Sequence, residues 1–145
     1  MARIDLPEGP GEDRARIWQL HPEFGAAAEH YNEVVQRCSI LPVREHEAAR
    51  IRIAHINGCE PCSAARMSNA GELGLDESFY EDVDDPAKRG RYTPREVLAI
   101  EFAERFAVGR DAFDDAWWQR ARAAFSDAEI VDLTVSVASG WRWAG

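Results

Sequence analysis

Cys59 and Cys62 stand three residues apart as C-E-P-C within EHEAARIRIAHINGCEPCSAARM, residues 45–67. Two thiols at this spacing on a helix are close enough to join and separate as a disulfide. The thiolate is the reactive form, and unpaired amide N–H groups with the positive dipole end of a helix start favour it. A thiol with a pKa of about 8.5 is only a few per cent ionised at pH 7, whereas one near ~6.5 is mostly thiolate. Arg66 follows four residues after Cys62. On a continuous helix it shares a face with that cysteine, where it would stabilise a thiolate or pair with Glu47.

Glu47 is set in an unusual place on the preceding segment. At 100° per residue, Ile51 lies about 40° and Ala54 about 20° from Glu47 around the helix axis, so the carboxylate sits within a small apolar arc. Ala49, Ile53 and Ile56 form a second arc on the far side, so this helix is expected to be covered from two directions. Desolvation there is expected to raise the Glu47 pKa towards a value suited to moving protons at neutral pH.

Other chemistries compete for the same residues. His55-x3-Cys59-x2-Cys62 offers three zinc ligands, but the second ligand pair of a structural site is missing. The zinc deaminase pattern fails as well, because no Pro precedes Cys59 and the H-x-E spacing is absent. Glu47 also admits a purely structural role as an ion-pair partner. His46 and His55 read as surface or satisfied polar residues. Cys38, Met67, Trp117, Trp118, Trp141 and Trp143 read as core or interface residues.

The elements that must hold these side chains are helical. Ala (23) and Glu (15) far outweigh the 19 β-branched residues, and no strand-like alternation or internal repeat is present. A short helix is expected over about 12–20, after a loosely attached arm of residues 1–11 rich in Pro and Gly. Pro22 suits the first turn of a helix to Arg37 or Cys38, with Phe24, Ala27, Ala28, Tyr31, Val34 and Val35 on its apolar stripe. Val43 to Asn57 follows, closed by Gly58. The cysteine helix is expected over 60–72, and a short acidic one over 76–83. Thr93-Pro94-Arg95-Glu96 is a capping box opening a helix to Val108. One more helix is expected over 114–125, and Ser126 with Glu129 caps a final one. The fold class is all-α, a single-domain bundle over residues 12–145.

Composition limits the partners. With 26 acidic and 17 basic residues the net charge is −9, which argues against a phosphate-binding surface and so against nucleic acid. No run approaches the roughly 18 apolar residues of a membrane span, and the N-terminal residues lack a signal-peptide h-region. Three cysteines are too few, and an odd number, for a secreted disulfide scaffold. A cytoplasmic location is expected, where a reducing milieu would reset a redox pair.

The combination Glu47-x11-Cys59-x2-Cys62, embedded in LPVREHEAARIRIAHINGCEPC, resembles the AhpD-like alkylhydroperoxidases of the carboxymuconolactone decarboxylase superfamily. TPREVLAIEFAERFA and FSDAEIVDLTVSVASGWRW resemble that family's two later helices, so the likeness runs from about Leu20 to Trp143. It implies an AhpD-like helical bundle in which Cys59 and Cys62 cycle between dithiol and disulfide. No cofactor is implied. The substrate would be a hydroperoxide or a partner disulfide, the reductant an external dithiol of lipoyl or thioredoxin type, and the assembly a homodimer, trimer or hexamer. In the family a glutamate and a histidine relay protons; Glu47 takes the glutamate's place, but Arg66 stands where the histidine belongs. Glu60 and Pro61 also replace the histidine often found between the cysteines. Arg cannot give up its proton, and an Arg66–Glu47 pair would lower the Glu47 pKa. By analogy with other helix-start C-x-x-C pairs, Cys59 attacks and Cys62 resolves. Two other readings remain open: a non-catalytic redox-responsive or interaction protein on the same scaffold, and a decarboxylase-like enzyme. The superfamily's lactone decarboxylases work without this cysteine pair, which weighs against the last.

Overall fold

A computed structural model describes residues 4–141, and every regular element among them is helical, with no strand. The chain groups into two compact units that meet in sequence at Cys38 and Ser39. Trp143 lies outside the described residues, as does the side chain of Trp141.

In the first unit, α1 (Asp13–Ile17) runs into a tight 3₁₀ turn at Trp18–Leu20, and α2 spans Pro22–Cys38. Pro22 opens α2 without loss, because its missing N–H would have no helical partner there. Gly25 lets Trp18 approach: a Cβ at that position would lie 2.7 Å from the Trp18 Cβ. Of α2, Gly25, Ala28 and Val35 are buried, whereas Phe24 is 64% exposed and stacks on His21 at 3.9 Å. Cys38 is a free, exposed thiol and not a core residue of this chain. It closes α2, so no further turn of its own helix covers it.

The second unit is built around α3 (Val43–Ile56). The two apolar arcs of this helix enter different clusters. Ala49 and Ile53 pack with Leu98, Phe102, Trp117, Leu133 and Val137, while Ala48 and Ile51 pack with Leu75, Phe79, Tyr80, Val83 and Ile100. Around it stand α4 (Glu60–Ala64), α5 (Glu77–Glu81), α6 (Pro94–Val108), α7 (Asp115–Ala124) and α8 (Asp127–Trp141). Both expected capping boxes form. Thr93 Oγ1 accepts from the Glu96 N–H while the Glu96 carboxylate accepts from Thr93, and Ser126 and Glu129 do the same for α8.

Buried carboxylates in this unit each face a cation, as the cost of an isolated buried charge requires. Glu45 takes a two-point bond from Arg95, Glu96 pairs with Arg44, and Asp82 meets Lys88 and Arg91. Asp132 on α8 accepts from Ser39 Oγ and from the amides of Ile40 and Leu41, fixing the segment that leads into α3.

The cysteine helix departs from expectation. It ends at Ala64, where Ala65 turns extended (φ −64°, ψ 132°), and the chain regains only a 3₁₀ turn at Ala70–Leu73. Arginine side chains take up the carbonyls left without helical partners there: those of Cys62, Ser63 and Ala65 accept from Arg50 and Arg66. Met67, expected in a core or an interface, is exposed and so not in the core of this chain.

Candidate functional site

Cys59 owes its position to the end of α3. Gly58, at φ +63°, donates its N–H to the His55 carbonyl, and Cys59 donates to Ala54, both at 3.0 Å. These two bonds form a Schellman motif, whose C′ position needs a left-handed backbone and therefore suits glycine. The chain folds back over the last turn of α3 and starts α4 at once, with Cys59 as its N-cap. Cys59 and Cys62 are joined as a disulfide with Cα atoms 5.3 Å apart, and both residues are half-buried. Since α4 has only five residues, the dipole of a long helix is not available to the cysteines.

Glu47 is 4% exposed, as the apolar arc implied, yet it is not an isolated carboxylate. Arg50, one turn later, donates from Nε to Oε1 at 2.7 Å and from Nη2 to Oε2 at 2.8 Å. The Tyr80 hydroxyl donates to Oε2 at 3.2 Å, and His46 Nδ1 lies 3.8 Å from Oε1. Burial alone would push the carboxyl up, but His46 and the Arg50 guanidinium outweigh it and hold the pKa at about 2. The expected upward shift is therefore reversed. The same surroundings push the Tyr80 hydroxyl up to about 12, through burial first and the neighbouring Glu47 charge second.

Arg50 also reaches the cysteine helix. Its Nη1 donates to the Cys62 carbonyl at 2.7 Å and its Nη2 to Ala65 at 3.2 Å. Arg66 pairs with Glu77 on α5, at 2.9 and 3.1 Å, and not with Glu47. Because α4 ends before it, Arg66 does not share a helical face with Cys62. It donates instead to Ser63 and Ala65, and its guanidinium lies 4.0 Å from the centre of the Tyr80 ring. Glu47, Arg50, Tyr80 and Arg66 thus form a linked set beside the disulfide.

His55 turns elsewhere, with Nδ1 2.9 Å from Asp84 Oδ2, where Arg52 also binds. Among the described residues no group of three or more His, Cys, Asp or Glu converges in a way that could hold a metal ion. His46 Nε2 is buried without a hydrogen-bond partner. Arg50 and Tyr80 escaped the sequence reading. Arg50 carried a signal, since it lies three residues after Glu47 on the same helix face. Tyr80 carried none, because it lies 33 positions along the chain from the carboxylate it touches.

No family model matches the chain. A curated relative, an uncharacterized protein YdfG of Bacillus subtilis, is 22% identical over 125 residues, covering 86% of this chain and 84% of its own. Among solved structures, the fold resembles a protein of unknown function from Agrobacterium tumefaciens, provisionally named as the antioxidant defence protein AhpD. The TM-score is 0.74 at 24% identity, with 90% of each chain covered. The fold is AhpD-like. No helix among the described residues is long and apolar enough to cross a membrane.

Proposed function

We propose that the protein is a thiol-dependent oxidoreductase whose Cys59–Cys62 pair reduces hydroperoxides or partner disulfides. The observation that carries this reading is the pair itself: two half-buried cysteines joined where a Schellman turn starts α4, with Arg50 bonding both the Cys62 carbonyl and Glu47. The Cys59 thiolate attacks the outer peroxide oxygen, giving Cys59 sulfenic acid and an alkoxide that takes up a proton as alcohol. The Cys62 thiol then attacks the Cys59 sulfur, forming the disulfide and releasing water. An external dithiol, of lipoyl or thioredoxin type, returns the pair to the reduced state and leaves as its own disulfide. Arg66 contributes positive charge to the surroundings of the pair and closes over Tyr80. A cytoplasmic setting and a homo-oligomer, dimer to hexamer, belong to the same proposal.

The test is organic hydroperoxide consumption with a dithiol reductant. Turnover should fall to the uncatalysed background in the Cys59→Ser, Cys62→Ser double variant; equal turnover by both proteins would sink the reading. A second reading, a redox-responsive protein without peroxide turnover, is favoured by one observation. Glu47 is locked to Arg50 and Arg66 is occupied by Glu77, so the two residues at the family's relay positions are both engaged in ion pairs. Reversible oxidation of the pair with only background peroxide consumption would select it.

A further inference from the structure

Arg50 links α3 to the cysteine helix through four hydrogen bonds. Of its five N–H donors, two go to the two oxygens of Glu47, one to the carbonyl of Cys62 and one to that of Ala65. The two-point fork with a carboxylate is a geometry that guanidinium forms and ammonium does not. The carbonyls near the end of α4 lack onward helical partners, so Arg50 supplies what the truncated helix cannot. The backbone carrying the second sulfur is in this way anchored to a carboxylate on α3. Glu47 has its own oxygens filled: Arg50 on both, the Tyr80 hydroxyl on one and His46 nearby on the other. Arg66 faces the same group from the far side of Tyr80. A carboxylate receiving this many donors takes up a proton only by giving some of them up, so it is held ionised and engaged.

We infer that Arg50 is a positioning residue for the redox pair: its guanidinium ties the Glu47 carboxylate to the backbone carbonyl of Cys62 and keeps that carboxylate out of proton transfer. This rests on the reading of Cys59 and Cys62 as a redox pair, though not on any peroxide being the substrate. It assigns Glu47 an anchoring role in place of the relay that the family resemblance implies. The protons of the thiol chemistry then come from solvent or from the incoming dithiol.

The test follows Glu47 directly and needs no peroxide. Carbon-13 NMR of the Glu carboxyls, assigned with Glu47→Gln, is recorded against pH for the wild type, Arg50→Leu and Arg50→Lys. In Arg50→Leu the Glu47 midpoint should rise by about two pH units, the effect of removing an adjacent opposite charge from a buried carboxylate. Arg50→Lys, which keeps the charge but loses the fork, should show a smaller rise, and it serves alone if Arg50→Leu does not fold. Equilibration of the pair with reduced and oxidised dithiothreitol across the same pH range supplies the second readout. The wild type should show no inflection from Glu47 there, and the variants should gain one at their new midpoint. A Glu47 midpoint unmoved in both variants, or superimposable equilibrium curves, would overturn the inference. A pair that dithiothreitol never opens would overturn the redox reading and the inference with it. Failure of peroxide turnover alone would remove only the proposed substrate.

Discussion

At the scale of single residues, the buried Glu47 carboxylate contributes to the protein's acid response. The Glu47 pKa is depressed from 4.5 to about 2 in the folded state. A depressed carboxylate contributes stability that is fully present above the unfolded value and disappears as pH falls through the folded one. The window for this residue therefore runs from about pH 4.5 down to about pH 2. Urea midpoints at pH 6 and pH 3 should fall steeply in the wild type over that interval. In Glu47→Gln the midpoint should already be lower at pH 6, and its decline towards pH 3 shallower. Parallel declines would show that other carboxylates govern acid unfolding. The reversal of the expected shift has a plain physical cause. Helical phase reports which side a residue faces, and it correctly buried Glu47. Sign and size of a pKa shift depend on the nearest partners, and those were His46 and Arg50 and not Arg66.

At the scale of elements, the packing of α3 and the turn that follows it depends on two glycines that act for different reasons. Gly58 holds a left-handed backbone in open space, with no atom within 4 Å of a would-be Cβ. Gly58→Ala should therefore cost only the backbone penalty, about 1–2 kcal/mol in urea unfolding. Gly140 on α8 has no unusual backbone, but a Cβ there would lie 2.5 Å from Ile53 Cγ2. Gly140→Ala should push α8 from α3 and cost about 1–3 kcal/mol. Combined with Ile53→Ala, which removes the obstructing methyl, it should be markedly less harmful than the sum of the two single changes. Most element positions were legible in the sequence because they carry local chemistry: Pro22, the two capping boxes and Gly58 each mark a boundary found within a residue or two. The cysteine helix was not, because nothing local stops it at Ala64. Its carbonyls accept from Arg50, which is distant in sequence, and from Arg66, whose reach backwards depends on where the chain goes next.

At the scale of the whole molecule, the three cysteines fall into one exposed thiol and one closed pair. Titration of the oxidised native protein with a thiol reagent should find one reactive group per chain, and reduction should bring the number to three. More than one before reduction would mean that the pair stands open in the resting protein. The all-α class and the two-sided covering of α3 were legible from helical period, whereas the pairings across long stretches of chain were not. Asn57, at the base of the cysteine turn, donates to the Gly140 carbonyl across 83 residues, and Asp132 reaches back some 90 residues to the entrance of α3. These bonds bear on how the protein is made. While the ribosome is still adding α6 and α7, α3 and the cysteines that follow it precede the synthesis of α8, which carries Gly140, and long-range contacts of this kind close late. For that interval all three sulfurs are reachable by one another and by small thiols. What protects the correct pairing is proximity along the chain: a three-residue separation closes far more readily than the span back to Cys38.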